Sequence, residues 1–159
     1  MKYRLLDTIG MIVNGLSIAL FFVLAKVLDV PDTPLLLGIL AWMLFGLGLL
    51  FIILSVAALA ANRNAGLSDR GVYGIVRHPM YLGAILLFVS WIGFLPHWIV
   101  GLLSLANSVL VYRSMRQGER RNIEKFGESY RRYMAAVPRA NLFKGLLRRL
   151  RTTRSRSPE

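Results

Sequence analysis

Leu35–Ala61 is a run of 27 residues without a single charged side chain. A run of that kind has no stable place in water. As a helix rising ~1.5 Å per residue it reaches about 40 Å, more than the ~30 Å of bilayer hydrocarbon. A helix also satisfies its own backbone hydrogen bonds in lipid. The run therefore predicts a membrane span that is tilted or projects past the hydrocarbon. Residues 9–28 form a second long apolar run, interrupted by Asn14, Ser17 and Lys26. Gly10, Asn14 and Ser17 recur at i, i+4 and i+7, a small and polar stripe suited to helix–helix contact in lipid. Lys2 and Arg4 ahead of this run also fit the basic end of a cleaved signal. The run continues past its small residues with no clear cleavage site, so a retained span is the expectation.

Two shorter apolar segments, residues 80–94 and 98–112, flank a Gly93/Pro96 break, with Trp91, His97 and Trp98 placed as interface anchors. They predict a short hairpin whose ends emerge on one side. The fold expected is an all-α integral membrane helical bundle in a single domain over 1–159. Its membrane segments are 9–28, 35–61, 80–94 and 98–112. A cytosolic or interfacial helical region over 113–139 and a basic amphipathic tail over 140–159 follow.

Charge sorts the topology. Lys2, Arg4, Arg63, Arg70 and Arg77 stand at the ends and loop expected inside, whereas Asp29 and Asp32 stand in the first turn. Positive residues mark the cytoplasmic side, which puts both termini there, in an inner or plasma membrane. The chain carries a formal charge of +12, concentrated after residue 112, where 14 Lys/Arg face 4 Asp/Glu. A basic tail binds nucleic acid or anionic lipid. On a hydrophobic body, anionic lipid is the expected partner and nucleic acid is not. With no cysteine, two histidines and no carboxylate cluster, no metal site is expected either.

Chemistry concentrates at Arg77-His78-Pro79-Met80-Tyr81-Leu82-Gly83. Pro79 fits the first position of a helix, and a helix N-terminus beside an Arg and a His is equipped to hold an anion. The hairpin makes this start a neighbour of Arg113, Arg116 and Glu119 at the exit of the fourth segment. Tyr112, Met115, Glu119, Ile123, Phe126, Tyr130, Tyr133 and Val137 share one face of a continuous helix, so Glu119 is placed inward, unless Gly127 ends that helix. Leu142, Phe143, Leu146, Leu147 and Leu150 form an apolar face opposite Lys144, Arg148, Arg149 and Arg151, the pattern of a segment lying on a lipid surface. One inward carboxylate, several guanidinium groups, phenols and a helix N-terminus suit a zwitterionic cofactor such as S-adenosylmethionine. Its ammonium is then expected on Glu119, and an acceptor carboxylate or phosphate on an Arg.

The motif Gly71-Val72-Tyr73 through Gly83, followed by Glu119, by Lys125-Phe126-Gly127-Glu128-Ser129-Tyr130 and by Val137-Pro138-Arg139, resembles the isoprenylcysteine carboxyl methyltransferase family, part of a wider phospholipid methyltransferase-like group. The resemblance covers residues 66–140. It implies a helical bundle with a cytosolic pocket for S-adenosylmethionine and a lipid or lipid-linked acceptor entering from the bilayer. It implies cofactor contacts from Leu67, Tyr73, His78, Pro79 and Tyr81, with Glu119 as the acidic contact. Arg77 and Arg113 are expected to act on the acceptor. The family shows two adjacent acidic residues where this chain has Gly118-Glu119, and its upstream Arg falls at Ser114, beside Arg113. Two other readings stand beside methyl transfer. One is a scaffold that keeps the fold without the chemistry. The other is a nicotinamide-dependent membrane reductase, since sterol-reductase-like proteins share an Arg-His-Pro signature.

Overall fold

The computed structural model of the chain describes residues 2–62 and 71–154. Every regular element among them is helical: α1 Lys2–Val27, α2 Leu35–Ala61, a 3₁₀ turn Gly71–Gly74, α3 Pro79–Phe94, α4 Trp98–Ala136 and α5 Leu142–Arg154. Three helices are long and apolar enough to cross a membrane, at Thr8–Val27, Leu35–Ala61 and Trp98–Ala136. Helix α3, at 16 residues, is apolar but shorter, about 24 Å at ~1.5 Å per residue. The outward faces of α1 and α2 expose side chains such as Leu16, Phe22, Leu36, Trp42 and Ile53. So contiguous an apolar surface belongs against lipid and not against water.

Glycine sets the tightest packing. A Cβ on Gly83 would run to 2.6 Å from the Gly48 carbonyl oxygen, and one on Gly48 to 2.8 Å from that of Gly83. A Cβ on Gly93 would meet that of Ala41 at 2.7 Å. The antiparallel helices α2 and α3 thus touch backbone to backbone, which converts small residues into extensive dispersion contact. Gly83, part of the motif, has a plain architectural reason to be glycine.

Helix α1 lies against α4 through the expected stripe. Gly10 and Ser17 are buried, and Gly10 faces Ser114. One turn further, Phe21 stacks on Trp91 at 4.8 Å and joins Phe88, Leu95, Val100 and Val111 in the central apolar cluster. Trp91 is therefore partly a core residue, whereas Trp98 is exposed as an anchor should be. His97 caps α4, its Nδ1 accepting from the Ile99 amide at 3.3 Å.

Helix α4 does not run straight. Gly127 sits at φ 55, a left-handed conformation that glycine adopts without strain, and the helix kinks there. The segment beyond folds over, burying Tyr130, Tyr133 and Val137 with Ile123 and Phe126. The predicted inward face holds for Met115, Glu119, Tyr130, Tyr133 and Val137, but Tyr112 is exposed. Pro138 then stops the helix and the chain returns across the start of α3.

Candidate functional site

The return of residues 138–139 fixes the geometry. The Arg77 amide donates to the Pro138 carbonyl at 3.0 Å and the His78 amide to the Arg139 carbonyl at 3.2 Å. The sequence offers the N-terminus of this helix to an anion, and the two amides that lead into it are taken by the chain's own backbone. Among the first N–H groups of α3, which helix geometry leaves without intrahelical acceptors, those of Met80 and Tyr81 remain beside the site. Pro79 occupies the first helical position as predicted, and the Leu82 amide bonds back to the His78 carbonyl at 2.9 Å.

Glu119 is the hub. Its side chain is 6% exposed and meets three cationic or cationisable groups. Arg139 grips it with both arms of its guanidinium, Nε to Oε1 at 2.9 Å and Nη2 to Oε2 at 2.6 Å. Arg77 Nη2 and His78 Nε2 each lie 3.3 Å from Oε1. Arg139 reaches on from Glu119 to the Tyr112 hydroxyl at 3.0 Å. A buried carboxylate is tolerated only with partners of this kind. The sequence places Glu119 for a cofactor ammonium; in the structure both of its oxygens are already engaged, so its geometry is that of a residue orienting Arg77, His78 and Arg139.

His78 is held neutral. Burial pushes its imidazole down to about 4, outweighing the pull of the Glu119 carboxylate, with Arg77 and Arg139 adding repulsion. A neutral ring facing a carboxylate donates through Nε2–H, which leaves Nδ1 as an acceptor. Its ring also meets Tyr81 edge-on at 5.6 Å. The Tyr133 hydroxyl donates to the Tyr73 carbonyl at 2.6 Å, tying the folded-back end of α4 to the 3₁₀ turn.

Beside this hub lies a cavity of about 240 Å³ walled by Tyr73, Arg77, His78, Tyr81, Gly118 and Asn122, with Leu59, Met80 and Arg121. The predicted residues Tyr73, Arg77, His78 and Tyr81 are thus brought together here. Pro79 is buried beneath them as the start of α3. Leu67 lies outside the described residues. Arg113 is not part of the group: it lines a separate cavity of about 140 Å³ between α1 and α4, with Ile9, Gly10, Val13, Ser114 and Gln117. The reason is angular. Six positions before Glu119 on a helix turning ~100° per residue, its side chain leaves about 120° away. The partner that sequence reasoning missed is Arg139. It closes the run Val137-Pro138-Arg139, and the signal available was Pro138, which forces the chain out of the helix one residue earlier.

S-adenosylmethionine presents a carboxylate, an ammonium, a sulfonium and a purine. Arg77 and the Met80 and Tyr81 amides fit the carboxylate; Tyr73 and Tyr81 offer aromatic walls to the purine. For the ammonium, His78 Nδ1 and the Asn122 side-chain carbonyl are the acceptors at hand, since Glu119 is engaged. A Cβ on Gly118, where the resemblance puts an acidic side chain, would make ordinary contact with Arg121 and the Tyr81 hydroxyl at 3.9 Å. The volume is slightly under the ~300 Å³ at which small-molecule sites begin.

Comparison of the chain with protein-family models, curated proteins and solved structures returns no match.

Proposed function

We propose that the chain is an integral membrane protein that binds S-adenosylmethionine and transfers its methyl group to a lipid-linked or small hydrophobic acceptor at the cytosolic face. In this reading residues 9–28, 35–61, 80–94 and 98–112 are the four membrane segments, and the basic regions at both ends lie on the cytoplasmic side. The observation that carries it is the joining of the start of α3 to the exit of α4. Glu119 is bonded to Arg77, His78 and Arg139, with an aromatic and cationic cavity alongside.

When bound, S-adenosylmethionine supplies a methyl group on a positively charged sulfur, so the protein's task is positioning in a dry site. Tyr73, Tyr81, His78 and Asn122 would hold the cofactor, and Arg77 would set the anionic end. Glu119 and Arg139 keep Arg77 and His78 in place. Membranes from cells expressing the protein, incubated with methyl-labelled S-adenosylmethionine and extracted into organic solvent, should yield a labelled lipid that Tyr81→Ala membranes do not.

A second reading, the scaffold without chemistry, is favoured by the full engagement of Glu119 and by Gly118. Gly118→Glu separates the two, since a Cβ there meets no atom closer than 3.9 Å. In the enzyme it should tighten S-adenosylhomocysteine binding about tenfold, one charge-assisted hydrogen bond. In a scaffold it should do nothing.

A further inference from the structure

A larger cavity of about 690 Å³ lies on the other side of Arg77, between the return of residues 134–139 and α5. Its polar wall is Arg77, Arg139, Lys144 and Arg148; its apolar wall includes Phe143 and Leu147. Among the described residues no carboxylate lines it. Of the cations on its wall, Arg77 and Arg139 lie against Glu119, which stands behind them. Arg77 is the informative member. Its side chain is 8% exposed, Nη2 alone is bonded, and the buried Nε and Nη1 make no hydrogen bond. A buried guanidinium left so incompletely paired costs free energy that a bound anion would recover.

Helix α5 forms the outer wall of this cavity and is fastened for the purpose. A Cβ on Gly145 would collide with the Ile75 carbonyl oxygen, so the helix backbone rests directly on the segment before Arg77. Arg148 donates to the Gly74 carbonyl at 2.8 Å and Arg149 to that of Gly71 at 2.7 Å. Leu142 joins Val72 and Val76 beneath. The basic side of α5 therefore turns partly toward the protein, while Phe143 stays 75% exposed on the surface.

We infer that this cavity is an anion site for a phosphate group, carried on an apolar tail that lies along Phe143 and Leu147. Phosphate is favoured over a carboxylate by charge. A carboxylate brings two oxygens and one charge, whereas a phosphate presents more oxygens and up to two charges to the cations that line the cavity. The tail is favoured by volume, which falls within the ~300–1,000 Å³ of sites for drug-sized molecules and far exceeds a bare phosphate. The inference stands on Arg77 and the cavity, and survives failure of the methyl-transfer reading.

The test is calorimetry on the full chain in an uncharged detergent with three probes: dihexanoyl phosphatidic acid, inorganic phosphate and dihexanoylglycerol. Phosphatidic acid should bind, dihexanoylglycerol should not, and inorganic phosphate should bind about tenfold more weakly. Equal affinity for inorganic phosphate would keep the phosphate site, overturn the apolar tail and name free phosphate as the source. Lys144→Gln, an exposed position, should weaken phosphatidic acid binding about threefold and Lys144→Glu more than tenfold. Arg77→Gln should abolish it. Arg131→Gln, exposed and outside the cavity, should change nothing. The inference is overturned by absence of phosphatidic acid binding at millimolar concentration or by dihexanoylglycerol binding equally well. Equal losses in Lys144→Gln and Arg131→Gln would also overturn it, because they would show diffuse attraction to a basic protein.

Discussion

Arg139 closes a two-armed ion pair on Glu119, 2.9 Å and 2.6 Å, across a turn of chain twenty residues long. The pair pins the end of α4 back onto its own middle, and with it the backbone bonds from Arg77 and His78 to residues 138–139. The start of α3 is thereby held by a carboxylate on the next helix, 41 residues beyond His78.

The two members of that pair should not be equivalent. Glu119→Gln leaves Arg77 buried without a counter-charge and should cost about 3–5 kcal/mol. Arg139→Gln removes a side chain that is 34% exposed and leaves Glu119 with Arg77 and His78, so about 1–2 kcal/mol is expected after allowing for solvent screening. Thermal melts in detergent should rank the variants in that order; equal losses would mean that Glu119 is not the hub.

Stability should fall on mild acidification. The folded His78 titrates at about 4 against 6.5 for the free side chain, so between those values the unfolded state binds the extra proton. The contribution of neutral His78 is fully present above about pH 6.5 and is lost as pH falls toward 4, amounting to at most ~3 kcal/mol. His78→Asn should flatten the melting temperature between pH 7 and pH 5, whereas an unchanged slope would place the titration elsewhere.

Two glycines should respond differently. Gly83→Val forces apart the α2–α3 contact at Gly48 and should prevent recovery of folded protein, since backbone cannot yield as a side chain can. Gly145→Ala collides with the Ile75 carbonyl and side chain under α5 and should release that helix alone. Limited proteolysis should then cut near residue 141 severalfold faster, with the melting temperature nearly unchanged.

What could be read before the structure divides along physical lines. The long spans were legible because an uncharged run of the length of Leu35–Ala61 admits few fates, and the Gly10–Ser17 stripe because helical spacing carries it to the α4 contact. His78 and Glu119 were expected as neighbours from the hairpin, and they lie 3.3 Å apart. Arg139 was out of reach because periodicity does not pass through Gly127 at φ 55 or through Pro138. The misplacement of Arg113 came from treating adjacency in sequence as adjacency in space. The orientation of α5 was half legible. Its two faces are as the sequence draws them, but the grip of Arg148 and Arg149 on the carbonyls of Gly74 and Gly71 depends on a turn seventy residues earlier.

The most direct measurement of the proposed cofactor site is calorimetric titration of the detergent-purified full chain with S-adenosylhomocysteine, beside its Tyr81→Ala variant. The account predicts saturable one-to-one binding in the parent and at least tenfold weaker binding in the variant, with both proteins melting as folded bundles. No heat at millimolar ligand, or equal affinity in the two proteins, would contradict it.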